Sequence, residues 1–86
     1  MLLSIIRTIK IIIPITGKDE LEKGLKELGI NVGKFWFKFY DPRWPRENPR
    51  EEFCRYFVEG SVEQEELDKI IKYLKEDYRY TATLHV

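Results

Sequence analysis

His85 and Cys54 are the side chains of this 86-residue sequence best suited to nucleophilic or metal chemistry, and the chain has one of each. An imidazole needs a second His, a Cys or a carboxylate within reach to build a dyad or a zinc site. His85 stands one residue from the C-terminus with neither His nor Cys nearby, and is expected to be a solvated strand residue. A lone cysteine can form no intramolecular disulfide and no thiolate cluster, so Cys54 is expected as a buried apolar side chain in a reducing compartment. The carboxylates of Glu63, Glu65, Glu66 and Asp68 are close in sequence, but around a helix start they point in several directions. There they oppose the helix dipole rather than converge on a cation.

The stretch ITGK, Ile15 to Lys18, follows a first strand as the tail of a phosphate loop does, yet the leading glycine and the terminal Ser or Thr of that motif are missing. What remains is binding chemistry, and it is concentrated. Residues 34–57, KFWFKFYDPRWPRENPREEFCRYF, hold nine of the twelve aromatic residues, together with Lys and Arg side chains and three prolines. Aromatic faces pack against a protein or stack on bases, and cations beside them hold carboxylates or phosphates.

Size and composition limit what can carry that surface. A chain of 86 residues has room for one core, so a single domain over residues 1–86 is expected. A hydrophobic share of 43% with 35% charged residues excludes the disordered class. Fifteen Lys and Arg balance fifteen Asp and Glu, while Asn31, Asn48 and Gln64 are the only side-chain amides, a bias met in thermophile proteins. The opening MLLSIIRTIKIII is interrupted by Arg7 and Lys10, lacks a small-residue cleavage site and falls short of the ~20 apolar residues of a membrane span. A cytoplasmic protein without membrane contact is expected.

The elements follow from periodicity. From Ile5 to Ile13 the β-branched residues alternate as in a strand, ending at Pro14. TGKDELEKGLKELG then has helical spacing, with Leu21, Leu25 and Leu28 on one stripe, Thr16 as cap and Gly29 as stop. KFWFKFY returns to period two, with Phe35, Phe37 and Phe39 expected inward and Lys34, Trp36, Lys38 and Tyr40 outward. The segment DPRWPRENPR cannot continue a sheet, because Pro42, Pro45 and Pro49 lack the amide donor. EEFCRYFVEG is a third strand, Cys54, Tyr56 and Val58 inward, Phe53, Arg55 and Phe57 outward, with Gly60 expected to break it. Ser61 and Gln64 suggest a capping box for a second helix carrying Leu67, Ile70, Ile71 and Leu74. YRYTATLHV supplies the last strand, Tyr80, Ala82, Leu84 and Val86 inward, Arg79, Thr81, Thr83 and His85 outward.

Strand, helix, strand, strand, helix, strand is the order of the α+β, ferredoxin-like βαββαβ sandwich: a four-stranded antiparallel sheet with two helices on one face and, by right-handed crossovers, the first and third strands central. The fold alone names no function. Copper chaperones on it need Cys-x-x-Cys after the first strand, acylphosphatases need a glycine-rich loop with Arg and a later Asn, and small CRISPR-associated nucleases place Asp where this chain has Pro14. None of these requirements is met. No enzyme, cofactor or metal is implied.

The sheet face away from the helices is then the candidate site. It carries Lys10 on the first strand, Trp36, Lys38 and Tyr40 on the second, and Phe53, Arg55 and Phe57 on the third. Apart from Glu51 and Glu52 at the opening of the third, the strand segments hold six basic residues and one acid, Glu59, whereas Ser61 to Asp77 holds six acids and three lysines, which makes the molecule a dipole with a basic sheet side. An open aromatic face of this kind is commonly covered by a second copy, so a homodimer or a protein partner is the leading expectation. The element order is also that of the RNA-recognition motif, and the third strand is similar to the aromatic-rich strand of that family at Phe53, Arg55 and Phe57. It lacks the Lys/Arg-Gly opening, and Thr8, Lys10 and Ile12 stand where the first strand of that family shows an aromatic. Single-stranded RNA is therefore the alternative partner, with a small-ligand regulatory domain as a third class. A second candidate surface lies in the Pro-rich loop, where Arg43, Trp44, Arg46 and Arg50 are of the types enriched at interface hot spots.

Overall fold

A computed structural model of the chain describes residues 5–40 and 54–86, and the structural statements below concern those residues. The opening residues 1–4, the Pro-rich loop with Arg43, Trp44, Arg46 and Arg50, and Phe53 lie outside them. Six main elements follow one another: β1 (Ile6–Pro14), α1 (Lys18–Glu27), β2 (Phe35–Tyr40), β3 (Arg55–Glu63), α2 (Gln64–Glu76) and β4 (Thr83–His85). The sheet order is β2-β3-β1-β4 with every neighbouring pair antiparallel, which places β1 and β3 in the centre as the crossover rule requires. This is the ferredoxin-like α+β fold.

One phase of the sheet is buried. Ile9, Ile11 and Ile13 of β1, Val58 and Val62 of β3 and Phe35 of β2 share a core with Leu21 and Leu25 of α1 and Leu67 and Ile70 of α2. Both helices therefore cover the same face. Two further core residues, Tyr73 and Tyr78, belong to no apolar stripe obvious in the sequence.

The boundaries show where local chemistry was overruled. Thr16 does not cap α1: the N-cap is Gly17, without a side-chain bond, and Asp19 and Glu20 in the first turn face the positive end of the dipole. Gly29 does end the helix, at φ 78°, and the Ile30 and Gly29 amides donate to the Leu25 and Lys26 carbonyls at 2.9 Å each. Those two bonds form a Schellman closure whose apolar partners, Ile30 and Leu25, are both buried.

Gly60 does not break the third strand. β3 runs through it to Glu63, because Gly60 lies between Ile9 on β1 and Phe35 on β2. A Cβ there would come within 2.6 Å of the Lys34 carbonyl oxygen and 2.7 Å of a Phe35 ring carbon, so the ring fills the space a side chain would need. The capping box shifts accordingly. Glu63, not Ser61, is the N-cap of α2, and its own amide donates to Glu66 Oε1 at 2.9 Å. The last strand is shorter than its alternation suggests: β4 covers Thr83–His85, and Tyr80, expected inward, is exposed. No helix among the described residues is long and apolar enough to cross a membrane.

Candidate interaction surface

The antiparallel register sorts the uncovered face into rows. In the first, Trp36, Glu59, Lys10 and His85 lie side by side across β2, β3, β1 and β4. In the second the order is Lys38, Phe57, Ile12, Thr83, and in the third Tyr40, Arg55, Pro14. Of the candidate residues on this face, Lys10, Trp36, Lys38, Tyr40, Arg55 and Phe57 are thus brought together, while Phe53 lies outside the described residues.

Their contacts bind the rows to one another. Tyr40 and Phe57 stack diagonally, ring centroids 5.2 Å apart at 34°. The Lys38 ammonium sits 5.5 Å from the Trp36 ring centre, and that of Lys10 sits 5.6 Å from Phe57. Trp36 nevertheless keeps 64% of its surface in solvent and Tyr40 47%. Apolar area of that size on a formed strand, opposite the core, is the feature of this face that folding does not use.

Glu59 is the residue that sequence reasoning passed over as a member of this face. Its carboxylate is 3.6 Å from the Lys10 ammonium, and it stands directly opposite Trp36. It was visible in principle, since it continues the outward phase of Arg55 and Phe57 two residues further, but the expected break at Gly60 placed it at a strand end. Arg55 is half-buried and its Nη1 donates to the Cys54 carbonyl at 2.8 Å.

Two basic residues counted with the sheet side leave it. Lys34 turns to the helix layer and pairs with Glu66 at 2.8 and 2.9 Å, and Arg79 meets Glu20 there, its Nε 3.5 Å from Oε1 and its amide donating to Oε2 at 2.7 Å. The Lys34 hydrogen bond, reinforced by the Glu63 amide, holds the Glu66 carboxyl below the usual carboxylate range. The sheet side is consequently less one-sidedly basic than composition implies.

A second correction concerns the helix-side phase. Phe39, inward by alternation, is 55% exposed, since among the described residues the burial of this phase falls away along β2 from Phe35 through Phe37. Its ring meets Tyr56 edge-on at 5.8 Å, and the Lys18 ammonium, itself paired with Glu22 at 2.7 Å, lies 5.2 Å from Phe37 and 5.7 Å from Tyr56. A cation therefore covers that end of the sheet where an aliphatic side chain would be usual.

Two clefts bear on these surfaces. A cleft of about 290 Å³ at the end of β4 is lined by Thr8, Ile9, Lys10, Glu59, His85 and Val86, and a more polar one of about 570 Å³ lies between the helices near Glu20, Tyr73 and Arg79. Among the described residues no group of three or more His, Cys, Asp or Glu side chains is placed to hold a metal ion.

The chain's backbone course matches that of a solved protein. It superposes on the crystal structure of a protein from Thermus thermophilus, provisionally described as a PII-like signaling protein, with a TM-score of 0.64. The likeness is one of fold. Identity is 17%, over 93% of this chain and 82% of the other. No family model and no curated protein sequence matches the chain.

Proposed function

We propose that this protein is a non-enzymatic binding module that associates with a second copy of itself, as a homodimer, through the uncovered sheet face. The observation that carries this reading is the exposure of Trp36 and Tyr40 on the outer phase of β2, beside Phe57 and away from the core. Burying a fully exposed large apolar side chain is worth about 1.5–3 kcal/mol, so the exposed parts of Trp36 and Tyr40, with the remainder of Phe57, supply a share of that each to an interface. The charges suit a two-fold contact: Glu59 is an acid among Lys10, Lys38 and Arg55, so each copy offers the other both signs. The fold neighbour's description as a signaling protein supports a regulatory module over a catalyst.

The double variant Trp36→Glu/Phe57→Glu is expected to remove the outer-face contact, lowering the solution mass, and to leave the helical circular dichroism unchanged. A solution mass that both substitutions leave unchanged would mean that the outer face holds no copies together.

A second reading, single-stranded RNA, is favoured by the Tyr40–Phe57 stack flanked by Lys38 and Arg55. It is weakened by Glu59, which repels phosphate and occupies Lys10. It predicts oligonucleotide binding that falls steeply with salt and is lost in Lys10→Glu and Arg55→Glu. An absence of binding at low salt would remove it.

A further inference from the structure

The two edges of the sheet are unlike. One is β4, three residues long and paired with Lys10–Ile12 of β1; short edge strands are a recognised protection against strand addition. The other is β2, whose six residues FWFKFY pair one to one with β3 from Phe35 opposite Gly60 to Tyr40 opposite Arg55. It has no bulge, no proline, no glycine and one charged side chain, Lys38, and among the described residues no backbone group pairs with its outer side. Of the usual devices that blunt an edge, this one carries a single lysine.

We infer that β2 pairs along this edge with β2 of a second copy, antiparallel and centred on Phe37, to join two sheets into one of eight strands. A two-fold axis perpendicular to the sheet sets residues of the same phase opposite one another, so the pairing must be centred on a residue. Centred on Phe37, it sets Trp36 against Lys38 of the second copy, Phe35 against Phe39, and Phe37 against itself. The indole and ammonium already associate within one strand at 5.5 Å, and Phe39, exposed although it is in the core phase, gains a neighbour. Centred one residue further, the same symmetry would set two Lys38 side chains directly opposite, which repels. The choice of partner follows from this self-complementarity. The edge contact is separate from packing of the outer face and brings the outer faces of two copies side by side.

The test is a cross-link at the axis. In a Cys54→Ser background, Phe37→Cys under mild oxidation is expected to give a disulfide-linked dimer. Packing through the outer face alone keeps position 37 on the helix side of each sheet, so it cannot produce that link, whatever becomes of the proposed function. The unaltered chain gives a second readout: the β2 amides that point away from β3 are expected to be protected from hydrogen exchange at high protein concentration and to exchange at least tenfold faster on dilution. A folded Phe37→Cys variant that stays unlinked, or outward β2 amides whose exchange ignores concentration, would overturn the inference. The exchange measurement decides alone if the variant does not fold.

Discussion

The Tyr78 hydroxyl donates to the Gly17 carbonyl oxygen at 2.9 Å, fastening the start of α1 to a segment 61 residues away in sequence. Tyr73 repeats the device one helical turn on, donating to the Glu20 carbonyl at 3.0 Å while its ring covers Gly24. With the two rings 5.9 Å apart, they form the joint between the helices and the C-terminal segment. Both glycines are there to leave room.

In an exposed helix, Gly24→Ala would gain about 1 kcal/mol from propensity. Here the new methyl would land on the Tyr73 ring, and moving that ring breaks its bond to Glu20. Overpacking of this kind costs about 1–3 kcal/mol and the lost hydrogen bond about 0.5–1.5 kcal/mol, so after the propensity gain a net destabilisation of about 0.5–3.5 kcal/mol is expected in denaturant unfolding. A stabilised variant would show that the joint yields freely.

The same joint governs alkaline stability. Burial, and secondarily the nearby Tyr73 and Glu20, raises the Tyr78 phenol above its ordinary range; burial raises Tyr73 as well. An unfolded chain ionises its tyrosines from about pH 10, while the folded one resists, so this contribution is complete below about pH 10 and falls as pH rises beyond it. Tyr78→Phe is expected to cost about 0.5–1.5 kcal/mol at neutral pH for the lost hydrogen bond, and to flatten the decline between about pH 10 and 11.5. An equally steep decline in the variant would assign the alkaline limb to other groups.

At low pH the sign reverses. Glu66, held below its usual range first by Lys34 and then by the Glu63 amide, contributes stability that is present above about pH 4.5 and lost as pH falls through its folded value. In Glu66→Gln the amide oxygen can still accept from the Glu63 amide, but the charge-assisted pair with Lys34 is gone. Urea midpoints measured from pH 6 to pH 2.5 should therefore show a shallower acid decline in the variant than in the parent chain.

The order of elements and most of the core were legible because period two and period 3.6 are strong signals in Ile9, Ile11, Ile13 and in Leu67, Ile70. The misses share a cause. Local propensity makes Gly60 a strand break, yet the Phe35 ring, which no local rule can place, fills its space. Tyr73 and Tyr78 count as half-polar in any pattern, and only the positions of Gly17 and Gly24 across the fold make them core residues. Phe39 fits the inward alternation, but alternation cannot say where along a strand burial falls away. On the outer face, Trp36, Lys38, Tyr40, Arg55 and Phe57 were legible from phase alone, whereas Glu59 depended on the true end of β3, and the departure of Lys34 and Arg79 depended on partners on the helices.

The most direct measurement is the solution mass by light scattering over a range of protein concentrations, since exposed Trp36 and Tyr40 are explained here by the contact that covers them. Two chain masses or more, falling toward one on dilution and lowered in Trp36→Glu/Phe57→Glu, is the expected result. A single chain mass of 10.4 kDa at every concentration would contradict self-association through this face.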